Sequence, residues 1–228
     1  MASADQLCGG VGFGSSGAPR FVDECRSCGD DVLRHRLDAE VELSPLSATY
    51  LGVPGREDTL DDLSPAGLAA HSELRRRTLA SLDGAQPVDE VDRVTVEAMR
   101  ERLGLEVEMH EAGVPLASLN VIASPLQEVR DIFDLAPTDT DEQVATIGRR
   151  MAAMPKALDQ WFESLAEGVS RGDVAARRQV EACIKQTEDH TADDGYFTTY
   201  AAQHPAIADQ IATAAKAYAD AGRRLREE

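Results

Sequence analysis

Apolar residues recur along most of this chain at steps of three and four, and no stretch alternates convincingly with period two. Val32, Leu33, Leu37, Val41 and Leu43 predict a first helix that begins at Asp30 and ends at Ser44-Pro45. Residues 52 to 63, "GVPGREDTLDDL", read as a polar connection rich in turn formers. Ser64-Pro65 then opens a helix to about Leu82, with the serine as N-cap and the proline at the first helical position, where its missing N–H is no loss. A long helix is predicted from about Val88 to His110 with two apolar stripes. Val91, Val94, Ala98, Leu105 and Met109 form one; Val96, Met99, Leu103 and Val107 form the other. Two stripes predict neighbours on both flanks and therefore a central helix.

Helix-start signals then follow in quick succession. In "SPLQEVRDIFDLAPTDTDEQ", Ser124, Pro125 and Gln127 spell a capping box that opens a short helix through Phe133. Thr140 and Gln143 repeat it, with Asp141 and Glu142 placed to complement the helix dipole. Ile147, Met151, Met154, Leu158, Trp161 and Leu165 make a four-three seam, which Pro155 breaks near Met154 into two helices, the second ending about Val169. Asp173 is expected to cap the next helix, carrying Val174, Val180, Ile184 and a buried Cys183. Tyr196, Phe197 and Tyr200 form an aromatic cluster closed by His204-Pro205. The last helix, Ala206 to about Arg226, presents Ile207, Ile211, Ala214, Tyr218, Ala221 and Leu225 on one face. The fold class is all-α, a bundle of about eight helices with short connections. Residues 1–29 read as a flexible Gly-rich leader and 30–228 as a single helical domain.

Composition narrows the function classes. A net charge of −18 over 228 residues repels a phosphate backbone or an anionic bilayer, so nucleic acid and membrane surfaces are not expected partners. No apolar run approaches the ~20 residues that span a bilayer, which points to a cytoplasmic chain. Four unevenly spaced cysteines, at 8, 25, 28 and 183, are expected as reduced thiols.

Candidate chemistry is sparse. "GFGSSG", Gly12 to Gly17, has phosphate-cradling spacing but lacks the preceding strand that such a loop needs, so it reads as flexible leader. Cys25 and Cys28, with Cys8 and His35, form too irregular a set for a structural zinc site. His110-Glu111 starts like a helical zinc motif, but position 114 is valine, so a solvated helix end is the reading. His35, His71, His190 and His204 are scattered. The acidic runs Glu57, Asp58, Asp61, Asp62 and Asp189, Asp193, Asp194 lack calcium-loop periodicity and read as solvated faces. No nucleophile elbow is present. No catalytic residue, metal ligand or cofactor is assigned.

Several stretches in order, "SPLSATYLGVPGREDTLDDLSPAG", "RVTVEAMRERLGLEVEMHEAG", "LNVIASPLQEVRDIFDLAPTDT" and "GDVAARRQVEACI", resemble the N-terminal half of the bacterial domain-of-unknown-function 885 family, over about residues 40 to 190. That resemblance implies a metallopeptidase-like group whose N-terminal half is a helical framework, with the His-Glu zinc motif in a C-terminal half. "HEAGVP" at 110–115 lacks the further histidines of that motif. The resulting expectation is a non-catalytic helical binding or scaffold protein that holds a small molecule or a protein and self-associates, most simply as a dimer. The alternative is one half of a split zinc peptidase, completed by a second chain that carries the His-Glu motif.

Overall fold

Three Ser-Pro pairs, Ser44-Pro45, Ser64-Pro65 and Ser124-Pro125, each start a helix in the computed structural model of the chain, which describes residues 28–227. The helices are α1 (Cys28–Leu43), α2 (Pro45–Leu51), α3 (Pro65–Asp83), α4 (Glu90–Glu111), α5 (Pro125–Asp131), α6 (Asp141–Ala152), α7 (Met154–Arg171), α8 (Arg177–Thr191), α9 (Tyr196–Gln203) and α10 (Ala208–Glu227). Short 3-10 turns lie at Val114–Ala117, Ile132–Asp134 and Pro205–Ile207. No strand occurs among the described residues, so the chain is all-α. The glycine-rich stretch with Cys8 and Cys25, and the side chain of Cys28, lie outside the described residues.

Each cap has a visible cause. Ser47 N–H donates to Ser44 Oγ at 3.0 Å and Gly67 N–H to Ser64 Oγ at 3.2 Å. Both halves of the Thr140–Gln143 box form: Thr140 N–H reaches Gln143 Oε1 at 3.0 Å, and Gln143 N–H reaches Thr140 Oγ1 at 3.2 Å. Gly52 ends α2 and Gly172 ends α7 in the left-handed region, at φ 70° and 86°, where a Cβ would be strained.

The seam lies where the spacing places it. Ile147, Met151, Met154, Leu158 and Trp161 are all buried, and α6 hands over to α7 at Ala153, next to Pro155. The face of α10 running from Ile211 through Ala214, Tyr218 and Ala221 to Leu225 is buried too. α10 packs against α6, α7, α8 and α9, so it is the hub of the bundle. The central role expected of α4 is thereby corrected. α4 packs chiefly on α3, and its first stripe faces outward: Val91 is 75% exposed and Val94 51%, while Leu105 and Met109 are exposed as well. The second stripe alone packs, with Val96 and Leu103 buried.

A second correction falls on Asp173. Gly172 turns the chain, Asp173 N–H donates back to Gly168 O at 2.9 Å, and α8 starts only at Arg177 with Val174 exposed outside it. The acid closes one helix instead of opening the next.

Candidate functional site

Polar bonds from the bundle fix three irregular segments, and their meeting creates a cleft. Buried Arg150 donates from Nε to Thr59 O and from Nη2 to Arg56 O, which pins the 52–63 connection, while Ser164 Oγ donates to Leu63 O at 2.7 Å. Trp161 Nε1 donates to Ser118 O at 3.3 Å, Val121 N–H donates to Gln179 Oε1, and Gln186 Nε2 donates to Val121 O. The N-terminus of α5 is set by Ser124, whose N–H donates to Gln127 Oε1 at 3.0 Å.

Between the 61–71 stretch, the end of α4 with its following turn, and the start of α5 lies a cleft of about 530 Å³. Leu68, Met109, Val114 and Pro115 give it apolar walls; Asp61, Asp62, His71 and Glu128 give it polar ones. Asp61 is only partly exposed. Its Oδ2 accepts from Ser44 Oγ at 2.6 Å and its Oδ1 from Leu46 N–H at 2.9 Å. Burial pushes its carboxyl above the ordinary aspartate range, against the opposing pull of those two bonds. Glu128 reaches solvent at the rim, yet partial burial and then the charges of Asp61 and Asp131 push it up as well. Asp62 accepts from Ser64 N–H at 3.0 Å. Among the described residues, no Lys, Arg or His lies within ion-pair distance of Asp61, Asp62 or Glu128. His71 instead faces Glu40, with Nδ1 at 3.5 Å from Oε1, and that contact, followed by Arg36, holds the Glu40 carboxyl low. The cleft therefore concentrates negative charge on a surface with apolar walls, an arrangement that attracts and desolvates a cation bearing an aliphatic group.

The reading of Glu57 to Asp62 as a solvated run is corrected at Asp61. The start of α2 draws it inward, because its carboxylate serves both the cap residue Ser44 and the Leu46 amide. Nothing in spacing links Asp61 to Glu128, which lie 67 residues apart and meet only through tertiary structure. The other weighed residues stay separate. Asp189 pairs with Lys185 at 2.9 Å, and Asp193 and Asp194 are exposed. His190 packs its ring against Tyr196 and Tyr218, and His204 sits at the end of α9 beside Tyr200. His110 lies half-buried in the last turn of α4; burial and the charges of Arg76, Arg75 and Arg171 lower its pKa, and the same charges oppose a cation there. No group of three or more His, Cys, Asp or Glu side chains arranged to hold a metal occurs among the described residues.

Compared with known families, residues 45–228 match the profile described as "Bacterial protein of unknown function (DUF885)". No curated protein matches the chain.

Proposed function

This chain belongs to the bacterial family DUF885, and we propose that within that family's helical framework it acts as a binding module. Its cleft takes a small ligand or peptide end that carries a protonated amine and an aliphatic group. The observation that carries this reading is the meeting of Asp61 and Glu128 in one apolar-walled cleft with no basic side chain in ion-pair range. Both carboxyls resist ionisation there, so a cation that binds between them gains charge-assisted contacts that water had only partly supplied. The reading places the chain in the cytoplasm, in keeping with four unevenly spaced cysteines that offer no disulfide framework.

Trp161 makes the test convenient, because its indole N–H is bonded to the cleft residue Ser118. Titration with L-leucinamide, followed by Trp161 fluorescence, is expected to saturate, with N-acetyl-leucinamide at least about tenfold weaker. Equal response to the charged and neutral probes would remove the basis of the reading.

The outward stripe of α4 favours a second component. Val91, Val94 and Leu105 lead along the helix to Met109, which is itself a cleft wall. A partner seated on that stripe, a second copy in the simplest case, would also border the cleft mouth. The split-hydrolase alternative uses the same surface, with the second chain supplying the zinc motif. Sedimentation at high and low concentration distinguishes a self-associating chain from one that stays monomeric until another chain is added.

A further inference from the structure

Arg150, on α6, is 2% exposed, and its known bonds go only to neutral oxygens: Thr59 O at 2.9 Å, Arg56 O at 2.8 Å and Thr49 Oγ1 at 3.0 Å. Three of its five N–H groups are thereby used. Among the described residues Nη1 has no hydrogen-bond partner, and no carboxylate lies within ion-pair distance of the guanidinium. A guanidinium does not shed its proton at neutral pH, and the charge here is balanced only at longer range, by Glu57, Asp61 and Asp58. Loop pinning accounts for Nε and Nη2. It leaves Nη1 without a protein partner among the described residues and still touched by solvent.

This side chain lines a pocket of about 250 Å³ at the start of α6, distinct from the acidic cleft. Ala136, Pro137 and Ile147 supply apolar wall. Two lining residues keep spare donors. Thr140 Oγ1 accepts the Gln143 amide and retains its O–H, and Gln143 accepts through Oε1, leaving its NH₂ group. Glu142 and Glu57 also line the pocket; Glu142 is paired with Arg149 at 2.9 Å, and Glu57 accepts from Gly55 N–H at 2.9 Å. Their charges disfavour a dianion more than a monoanion, and the apolar wall suits a short hydrocarbon tail.

We propose that this pocket binds the carboxylate of a small aliphatic acid, with Arg150 Nη1 holding an oxygen and Ile147 and Ala136 packing against the tail. The full chain with ¹³C,¹⁵N-labelled arginine, titrated with butyrate, tests it by NMR. Butyrate is expected to shift the Arg150 Nε and Cζ resonances saturably, while butylamine and inorganic phosphate leave them in place. Replacing Arg150 risks unpinning the 52–63 connection, so the decisive variant is Gln143→Glu. Glutamate keeps the capping box with Thr140 but adds a third side-chain carboxylate to the pocket beside Glu57 and Glu142, and it is expected to weaken butyrate by about tenfold. Glu57→Gln removes a like charge and is expected to tighten butyrate by about threefold. Absence of a saturable shift, an equal response to butylamine or phosphate, or unchanged butyrate affinity in Gln143→Glu would each overturn the proposal.

Discussion

The bundle around α10 and the layer formed by α1, α3 and α4 share the same caps and the same helical spacing, but they bury apolar surface very differently. Around α10, side chains from α5 to α10 and from the loops join one continuous core that includes Trp161, Phe162, Met151, Ile211 and Tyr218. In the other layer the separate buried cluster consists of Leu82, Ala85 and Val96, with Val32 and Met99 packed at its edge. Ion pairs dress the surface there instead: Arg75 with Glu106, Arg76 with Glu111, and Arg93 with Glu90 and Glu97. Exposed pairs of this kind are screened by solvent and add little to stability. The lesson is that an apolar stripe guarantees a helix face that prefers cover; it does not say where the cover comes from. In α10 the chain supplies it, and on the outer face of α4 the described residues do not.

The cleft lies where these two regions meet, which gives its asymmetry a physical origin. The bundle supplies fixed anchors, Trp161 and Ser164, while the sparser layer supplies the α4 end with Met109. A rigid wall faces one held by fewer buried contacts, and adjustment on binding belongs to the second.

Mutations that probe each core should break this contrast or sharpen it. The largest effect is expected from Trp161→Ala, which empties the bundle beside Phe162 and should cost about 3–5 kcal/mol in urea unfolding followed by helical circular dichroism. Leu82→Ala, equally buried but in the small cluster, should cost about 2–3 kcal/mol because its thinner surroundings can collapse. Equal costs at the two sites would remove the distinction. Thr140→Ala deletes half of the α6 capping box and is expected to lower stability by about 1 kcal/mol, whichever probe is used. On the outer stripe, Val94→Asp with Leu105→Asp should change stability by no more than about 0.5 kcal/mol while abolishing any self-association seen by sedimentation. A large loss of stability would mean that the stripe is packed after all.

The smallest expected effect concerns pH. Asp61 and Glu128 have folded-state pKa values raised chiefly by burial. Their stabilising contribution is complete below the unfolded carboxylate values of about 4 and is lost as pH rises through the folded values. Asp61→Asn keeps an acceptor for Leu46 N–H and removes the titration, so the thermal midpoint of the variant should gain on the parent's as pH rises from about 4 to 7. A variant that loses ground to the parent over that range would contradict the burial account of Asp61.

Much of this architecture is legible in local chemistry. Ser64-Pro65, the Thr140–Gln143 box, the break beside Pro155 and the faces of α6, α7 and α10 all depend on residues within a few positions of one another. Ser44-Pro45 carries the same start signal but reads first as the end of α1; it does both, and α2 is the consequence. The site is far less legible. Asp61 looks like one acid in a solvated run, Glu128 like a helix-surface acid and Arg150 like its neighbour Arg149, because their burial and shared charge arise from contacts 15 to 101 residues away. Sequence spacing carries no trace of such meetings. The exposure of Val91 and Val94 fails for the converse reason, since periodicity marks a face without naming its neighbour.

The central claim is that the Asp61–Glu128 cleft binds a protonated amine on an aliphatic body. The most direct measurement is a ¹⁵N-edited NMR titration of the full chain with L-leucinamide. The account predicts saturable amide shifts confined to Asp61–Leu63, His71, Met109, Ser118–Asn120 and Glu128, which vanish in a variant combining Asp61→Asn with Glu128→Gln. Shifts that persist in that double variant, or that cluster elsewhere on the molecule, would contradict it.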